Sequence, residues 1–313
     1  MKGLPKRTVS PGWQLVILVG LVIAGYSVAS LLSMGIVVAQ YHLSLADVSR
    51  LGATPAQVPH GWPALMLLEG LGLAGLGVGA LLVPAVVGES IPAYFAPRRL
   101  GAGGTWKLLA AGLLILILMP ALSLIIAWNA GAHFPAWAHG FAEWARAKED
   151  QAQTLTRYLT NFSSLGRLLV GLLVIAVTPA VAEELVFRGV IQRCLVRMLG
   201  SRHAGVWVAA ALFSAAHFEF FGFVPRLLLG LVLGYLYEWS GNILVPMAAH
   251  FTQNAFQLLL LYLAQGKLLP TIFNPDSNQA LPWPTVLLSA LLSAGLLALL
   301  RRRLPAEAAP AHG

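Results

Sequence analysis

The sequence predicts an all-α polytopic membrane protein, a helical bundle with about eight transmembrane helices. Of its 313 residues, 58% are hydrophobic and only 10% are charged, and the mean hydropathy is +0.76. One water-soluble core cannot use that much apolar sequence, whereas a set of membrane spans can. The apolar residues also fall in runs close to the roughly 20 residues that a helix needs to cross the hydrocarbon core.

Eight such runs follow one another along the chain. The first comes after Lys2, Lys6 and Arg7 but is much longer than the roughly 7–15 apolar residues of a signal peptide, so we expect a retained anchor. The fifth and sixth are shorter than a full span, which predicts tilting, local thinning of the bilayer or partial enclosure by the other helices. In order, the predicted spans cover residues 13–38, 63–87, 106–128, 168–190, 204–218, 225–239, 243–264 and 284–300.

The basic residues predict the orientation of these spans. With alternate connections on opposite sides, 13 of the 20 Lys and Arg residues, Arg188 among them, fall on the side that holds both termini. Cytoplasmic loops are enriched in Lys and Arg, so both termini are predicted to be cytoplasmic, in the cell (plasma or inner) membrane. Because topology accounts for the net charge of +8, no nucleic-acid partner is expected. The single cysteine, Cys194, excludes an intramolecular disulfide.

The longest connection, residues 129–166, contains a predicted amphipathic helix over residues 137–158. Charged residues such as Glu143, Arg146 and Lys148 are mixed there with apolar ones. Such a helix lies either in the membrane interface or in an ordinary external loop, and the sequence leaves both interpretations open.

Two adjacent carboxylates and an arginine interrupt the fourth predicted span. Ionisable groups at membrane depth are costly and are usually functional. Glu184 and Arg188 are four residues apart, so on a helix they can form an ion pair along one face. The side chain of Glu183 projects about 100° away from that of Glu184, which leaves Glu183 as an unpaired acid that can face an interior cavity.

Two further polar pairs at helical spacing follow, Phe213 with His217 and His250 with Asn254. Three helices thereby supply four polar groups that suit amide hydrolysis. Glu183 would deprotonate a water that His217 helps to hold, while His250 and Asn254 would donate hydrogen bonds to the developing oxyanion. Taken alone, each pair is more often a packing feature. Their conjunction on successive apolar helices favours a catalytic site.

The three motifs together resemble those of the CPBP family of intramembrane proteases, which includes the type II CAAX prenyl proteases and the bacteriocin-processing, or Abi, enzymes. The resemblance covers residues 168–263 and rests on Glu183-Glu184-x-x-x-Arg188, Phe213-x-x-x-His217 and His250-x-x-x-Asn254. It implies that Glu183 activates the water with His217, and that His250 and Asn254 stabilise the oxyanion. Glu184 and Arg188 would give structural support.

Metal dependence is an open alternative. Members of the family are often labelled metalloproteases, and Glu183, His217 and His250 could in principle form a zinc site of two histidines and one carboxylate. The chain lacks HExxH, however, and Asn254 is a poor zinc ligand but a good hydrogen-bond donor. We therefore expect glutamate-dependent hydrolysis without a metal or another cofactor.

These observations predict three regions and one leading function. Residues 1–165 would hold N-terminal spans, residues 166–265 the catalytic core, and residues 266–313 a last span and a basic cytoplasmic tail. The function would be cleavage of a membrane-associated peptide or protein at the bilayer, with entry from the cytoplasmic side and no prediction of the oligomeric state. The alternatives are a noncatalytic scaffold or bacteriocin-immunity protein, and a transporter with a carboxylate proton relay. Transport would be supported by inverted repeats, which we do not find.

Overall fold

The computed structural model describes residues 9–98, 100, 104–132, 134–269 and 279–304, and these residues contain helices and no strand. The predicted all-α class is therefore confirmed. The helices are α1 (Pro11–Tyr41), α2 (Leu45–Leu51), α3 (Gly61–Val87), α4 (Ile91–Phe95), α5 (Thr105–Ala130), α6 (His139–Leu159), α7 (Leu165–Leu199), α8 (Arg202–Ala215), α9 (Phe223–Ser240), α10 (Leu244–Gln265) and α11 (Trp283–Arg303).

Among the residues that the structure describes, six helices are long and apolar enough to cross a membrane, namely α1, α3, α5, α7, the helix that contains α9, and α11. The predicted spans 204–218 and 243–264 correspond to α8 and α10, which are not among the six. With 14 residues, α8 is about 21 Å long, shorter than the roughly 30 Å hydrocarbon core. With 22 residues, α10 is long enough, but His250, Gln253 and Asn254 lower its hydropathy.

Glycines allow a close crossing of α1 and α3. A Cβ atom on Gly75 would lie 2.5 Å from the carbonyl oxygen of Gly25, and one on Gly79 would lie 2.5 Å from that of Leu21. Backbone atoms cannot move aside as a flexible side chain can. Glycine is therefore required for these two helices to approach so closely.

Contacts between helix ends define two ends of the bundle. At one end, the Tyr94 hydroxyl donates to Gln14, and the Arg98 N–H donates to the Gly241 carbonyl. At the opposite end, the Trp62 indole donates to the Leu159 carbonyl. The first end, called the arginine-rich end below, carries Arg98, Lys107, Arg197, Arg202, Arg301, Arg302 and Arg303.

The helix predicted over residues 137–158 is α6, at the end opposite the arginine-rich end. Its Phe141 and Trp144 pack against Phe220 in the loop after α8. Glu149 of α6 accepts a hydrogen bond from the Phe221 N–H. Partial burial raises the pKa of Glu149, and the Phe221 N–H opposes that rise. α6 thus packs against the loop next to His217. Its location in the membrane interface stays a prediction.

Candidate active site

Glu183 and Glu184 lie in the middle of α7, between two π-helical segments, Leu172–Val177 and Leu185–Gln192. Such wide turns recur at functional sites in helices. Pro179 follows the first segment, and because proline has no N–H, it cannot bond the carbonyl four residues earlier. Irregular hydrogen bonding therefore flanks the two carboxylates on both sides.

Glu184 and Arg188 form an ion pair in the core. Nη1 of Arg188 donates to Oε1 of Glu184 at 2.7 Å, and the two side chains are 1% and 0% exposed. Nη2 of Arg188 donates to the Gly230 carbonyl of α9 at 3.1 Å, and the guanidinium lies 4.4 Å from the ring centroid of Phe213 in α8. Because Arg188 lies inside the bundle, it does not contribute to the loop charge from which the orientation is predicted.

His250 of α10 is fixed by the same carboxylate. Its Nδ1 atom lies 2.9 Å from Oε1 of Glu184. Because Glu184 also accepts from Arg188, its carboxylate is best satisfied when ionised, so Nδ1–H of His250 is assigned as the donor. Nε2 of the nearly buried ring then faces Glu183, at 3.9 Å from Oε2.

His217 lies in the turn after α8 and is fixed by its own helix. Its Nδ1 atom lies 2.8 Å from the carbonyl oxygen of Phe213, which can only accept, so Nδ1 carries the hydrogen. The Nε2 atom of the neutral ring is thus an acceptor, 3.9 Å from Oε2 of Glu183. The Phe213 ring packs edge to face against both imidazoles, with centroid distances of 5.0 Å to His217 and 5.9 Å to His250.

The two histidines therefore converge on one oxygen of Glu183. This Oε2 atom is buried and has no hydrogen-bond partner among the residues that the structure describes. A separation of 3.9 Å is too long for a direct hydrogen bond, but it suits polar atoms that share one water molecule. The Glu183 side chain is 17% exposed and that of His217 is 29% exposed, so the site is not sealed.

Asn254 is half-buried, one helical turn after His250 on the same face of α10. Within the described ranges it forms no hydrogen bond to Glu183, His217 or His250. The structure thus brings Glu183, His217 and His250 together and places Asn254 one helical turn away. Their roles stay predictions.

Residue counts along the predicted spans put the two histidines at different depths. They place His250 about 10 Å from the predicted cytoplasmic face, and His217 near the far end of its short span. In the structure, Nε2 of His217 and Nε2 of His250 nevertheless both lie 3.9 Å from Oε2 of Glu183, so the two side chains meet at one depth.

The donor set fits a tetrahedral zinc ion poorly. With metal–ligand distances of about 2.0–2.2 Å, neighbouring ligand atoms lie about 3.3 Å apart, whereas both Nε2 atoms lie 3.9 Å from Oε2 of Glu183. In the described part of the chain, no three His, Cys, Asp or Glu side chains are placed to hold a metal ion.

Sequence reasoning missed a polar ladder that continues from the ion pair toward the arginine-rich end. Nε2 of the buried Gln192 donates to the Gly234 carbonyl at 3.1 Å and to Oε1 of Glu238 at 2.9 Å. Residues 188 and 192 of α7, four apart, thereby contact residues 230, 234 and 238 of α9, also four apart. That shared period was the signal available in the sequence.

Fold and site together define a class of protein. The chain is a helical multi-pass membrane protein whose bundle encloses a glutamate and two histidines from three successive stretches of the chain, and the first histidine, His217, lies just past its helix. A buried acid beside two oriented imidazoles is a typical arrangement for proton transfer.

The family comparison makes this class more specific. Residues 165–256 match the family described as Type II CAAX prenyl endopeptidase Rce1-like, which confirms the predicted resemblance to the CPBP proteases. The match includes Glu183, His217, His250 and Asn254, and it implies a protease. The labels metalloprotease and Abi stay predictions, as do the boundaries of the three regions.

The chain is also similar to a protein of Bacillus subtilis, "Uncharacterized protein YpbD". The two are 40% identical over 80 residues, which cover 24% of this chain and 38% of that relative. No solved structure matches the chain.

Proposed function

We propose that the chain is an intramembrane endopeptidase that uses a glutamate-activated water to hydrolyse a peptide bond in a membrane-associated peptide or protein. The observation that carries the proposal is the convergence of His217 and His250 on Oε2 of Glu183. The similarity of residues 165–256 to an endopeptidase family supports it.

The first step is activation of the water. A water beside Oε2 of Glu183 can donate one hydrogen to that carboxylate and the other to Nε2 of His217, whose Nδ1–H is already bonded to the Phe213 carbonyl. Glu183 takes a proton as the water oxygen forms a bond to the scissile carbonyl carbon. The proton then passes from Glu183 to the leaving amine nitrogen as the C–N bond breaks.

The second requirement is stabilisation of the oxyanion. Asn254 can donate from its side-chain amide, and His250 can donate from Nε2 when its ring carries two protons. The hydrogen bond from Nδ1–H of His250 to Glu184 holds the ring with Nε2 turned toward Glu183. In this mechanism Glu184 and Arg188 act on the substrate only through His250.

Substrate and location are also part of the proposal. The name of the matched family points to substrates that carry a prenylated C-terminal CAAX sequence, and other membrane-associated peptides fit the same chemistry. We place the protein in the plasma or inner membrane with both termini in the cytoplasm, because without Arg188 the predicted topology still puts 12 of the other 19 Lys and Arg residues on the side of the termini.

The decisive test compares cells that make the wild type or Glu183→Gln at matched levels, by mass spectrometry of membrane and secreted peptides. New peptide termini with the wild type alone are expected. The exposed Glu89, between α3 and α4, offers a control, since Glu89→Gln makes the same chemical change away from the site. Identical peptide profiles for wild type and Glu183→Gln would shift the assignment to a noncatalytic scaffold or immunity protein.

Metal dependence has its own test on the purified enzyme. Because the donor set fits zinc poorly, we propose a reaction without a metal, and cleavage should persist in excess EDTA. Loss of cleavage in EDTA that zinc restores would show the proposal to be wrong.

A further inference from the structure

A large cavity lies apart from the candidate active site, between α5, α9 and α11. Its volume is about 1160 Å³, above the roughly 300–1,000 Å³ of most small-molecule pockets. Its apolar walls include leucines from three helices, such as Leu118, Leu231 and Leu297. Glu183, His217, His250 and Asn254 do not line it.

The cavity has an apolar half and a cationic half. On α9 the lining runs from Leu228 to Trp239, a rise of 11 residues, so the cavity extends about 17 Å along the helices, close to the roughly 15 Å hydrocarbon depth of one leaflet. At the arginine-rich end it is lined by Arg202, Arg301 and Arg302, together with His203 and with Glu238, whose carboxylate accepts a hydrogen bond from Gln192. Among the described residues, none of these three guanidinium groups forms an ion pair.

We propose that this cavity binds a phospholipid with an anionic headgroup. Three arginines and the single carboxylate of Glu238 leave an excess of positive charge at this end of the cavity, and guanidinium groups bind phosphate through paired hydrogen bonds. The leucine walls suit acyl chains in the same leaflet. The arginine-rich end is also the end predicted to face the cytoplasm, where anionic lipids attract basic residues next to membrane helices.

Charge tests the headgroup part of the proposal. The purified, delipidated full chain is titrated with phosphatidylglycerol or with phosphatidylcholine of the same acyl chains, and bound lipid is counted by native mass spectrometry. The wild type should prefer phosphatidylglycerol. Removing an arginine should weaken its binding roughly fivefold, so that Arg301→Gln with Arg302→Gln loses roughly 25-fold. Arg303→Gln is the matched control, because Arg303 is adjacent but does not line the cavity.

Shape tests the acyl-chain part. Ala298 lines the cavity and is exposed, so Ala298→Phe should fill the cavity without disturbing the core and should weaken binding of phosphatidylglycerol. Ala290→Phe, at an exposed position of α11 outside the cavity, should not. Equal binding of the two lipids, or full binding by Ala298→Phe, would overturn the proposal. So would a variant ending at Leu304 that binds much more lipid than the full chain, since residues 305–313 would then compete for the cavity.

Discussion

Replacing Glu184 by alanine should destabilise the protein far more than replacing the adjacent Glu183 by glutamine. Glu184→Ala leaves Arg188 charged, 1% exposed and without its carboxylate. Removing one partner of a buried ion pair costs about 3–5 kcal/mol. Oε2 of Glu183 has no hydrogen-bond partner among the described residues, so Glu183→Gln, which keeps the shape, should cost less than about 1 kcal/mol.

The measurement is equilibrium unfolding of the purified variants in one detergent, followed by tryptophan fluorescence. The control is the double variant Glu184→Ala with Arg188→Met, which removes both charges and should recover most of the lost free energy of unfolding. If Glu184→Ala were as stable as the wild type, the pair would not be the desolvated contact that its geometry indicates. A double variant no better than Glu184→Ala would show that the uncompensated charge of Arg188 is not the cause.

Two further predictions use the same unfolding assay. Gly75→Ala should lose about 1–3 kcal/mol, because its Cβ atom would lie 2.5 Å from a backbone carbonyl oxygen of α1, whereas Gly20→Ala, with nothing within 4 Å of its Cβ atom, should be neutral or slightly stabilising. Equal losses at the two positions would refute the close-crossing argument. Gln192→Leu should lose about 1–3 kcal/mol, because it leaves the Gly234 carbonyl and the Glu238 carboxylate without their buried donor. A fully stable Gln192→Leu would mean that water serves both acceptors.

The lengths of the apolar runs predicted most of the architecture, because a helix that faces lipid must be apolar across the whole thickness of the hydrocarbon core. It failed where that rule does not apply. The short α8 reads as a span since it is apolar, although surrounding helices rather than lipid cover part of it. The polar side chains of α10 face the site instead of lipid, so average hydropathy says little about its position.

Helical spacing predicted the residues of the candidate site, and the structure added the atoms that orient them. Spacing of four residues shows that Glu184 can reach Arg188, and that His250 and Asn254 share a face. It cannot show that the Phe213 carbonyl fixes His217, because every residue has a carbonyl. The same limit hid the backbone oxygens of α9 that complete the polar ladder.

The buried network is better explained by orientation than by stability. Burying two charges carries a desolvation cost that a well-packed apolar pair does not have. The ion pair therefore contributes less to the free energy of unfolding than such an apolar pair would. It does hold one nitrogen of His250 on Glu184 and thereby turns the other toward Glu183. The Glu184→Ala/Arg188→Met variant should therefore unfold like the wild type yet cleave no substrate, because its His250 ring is free to rotate. Normal cleavage by that variant would show that the orientation of His250 does not depend on Glu184.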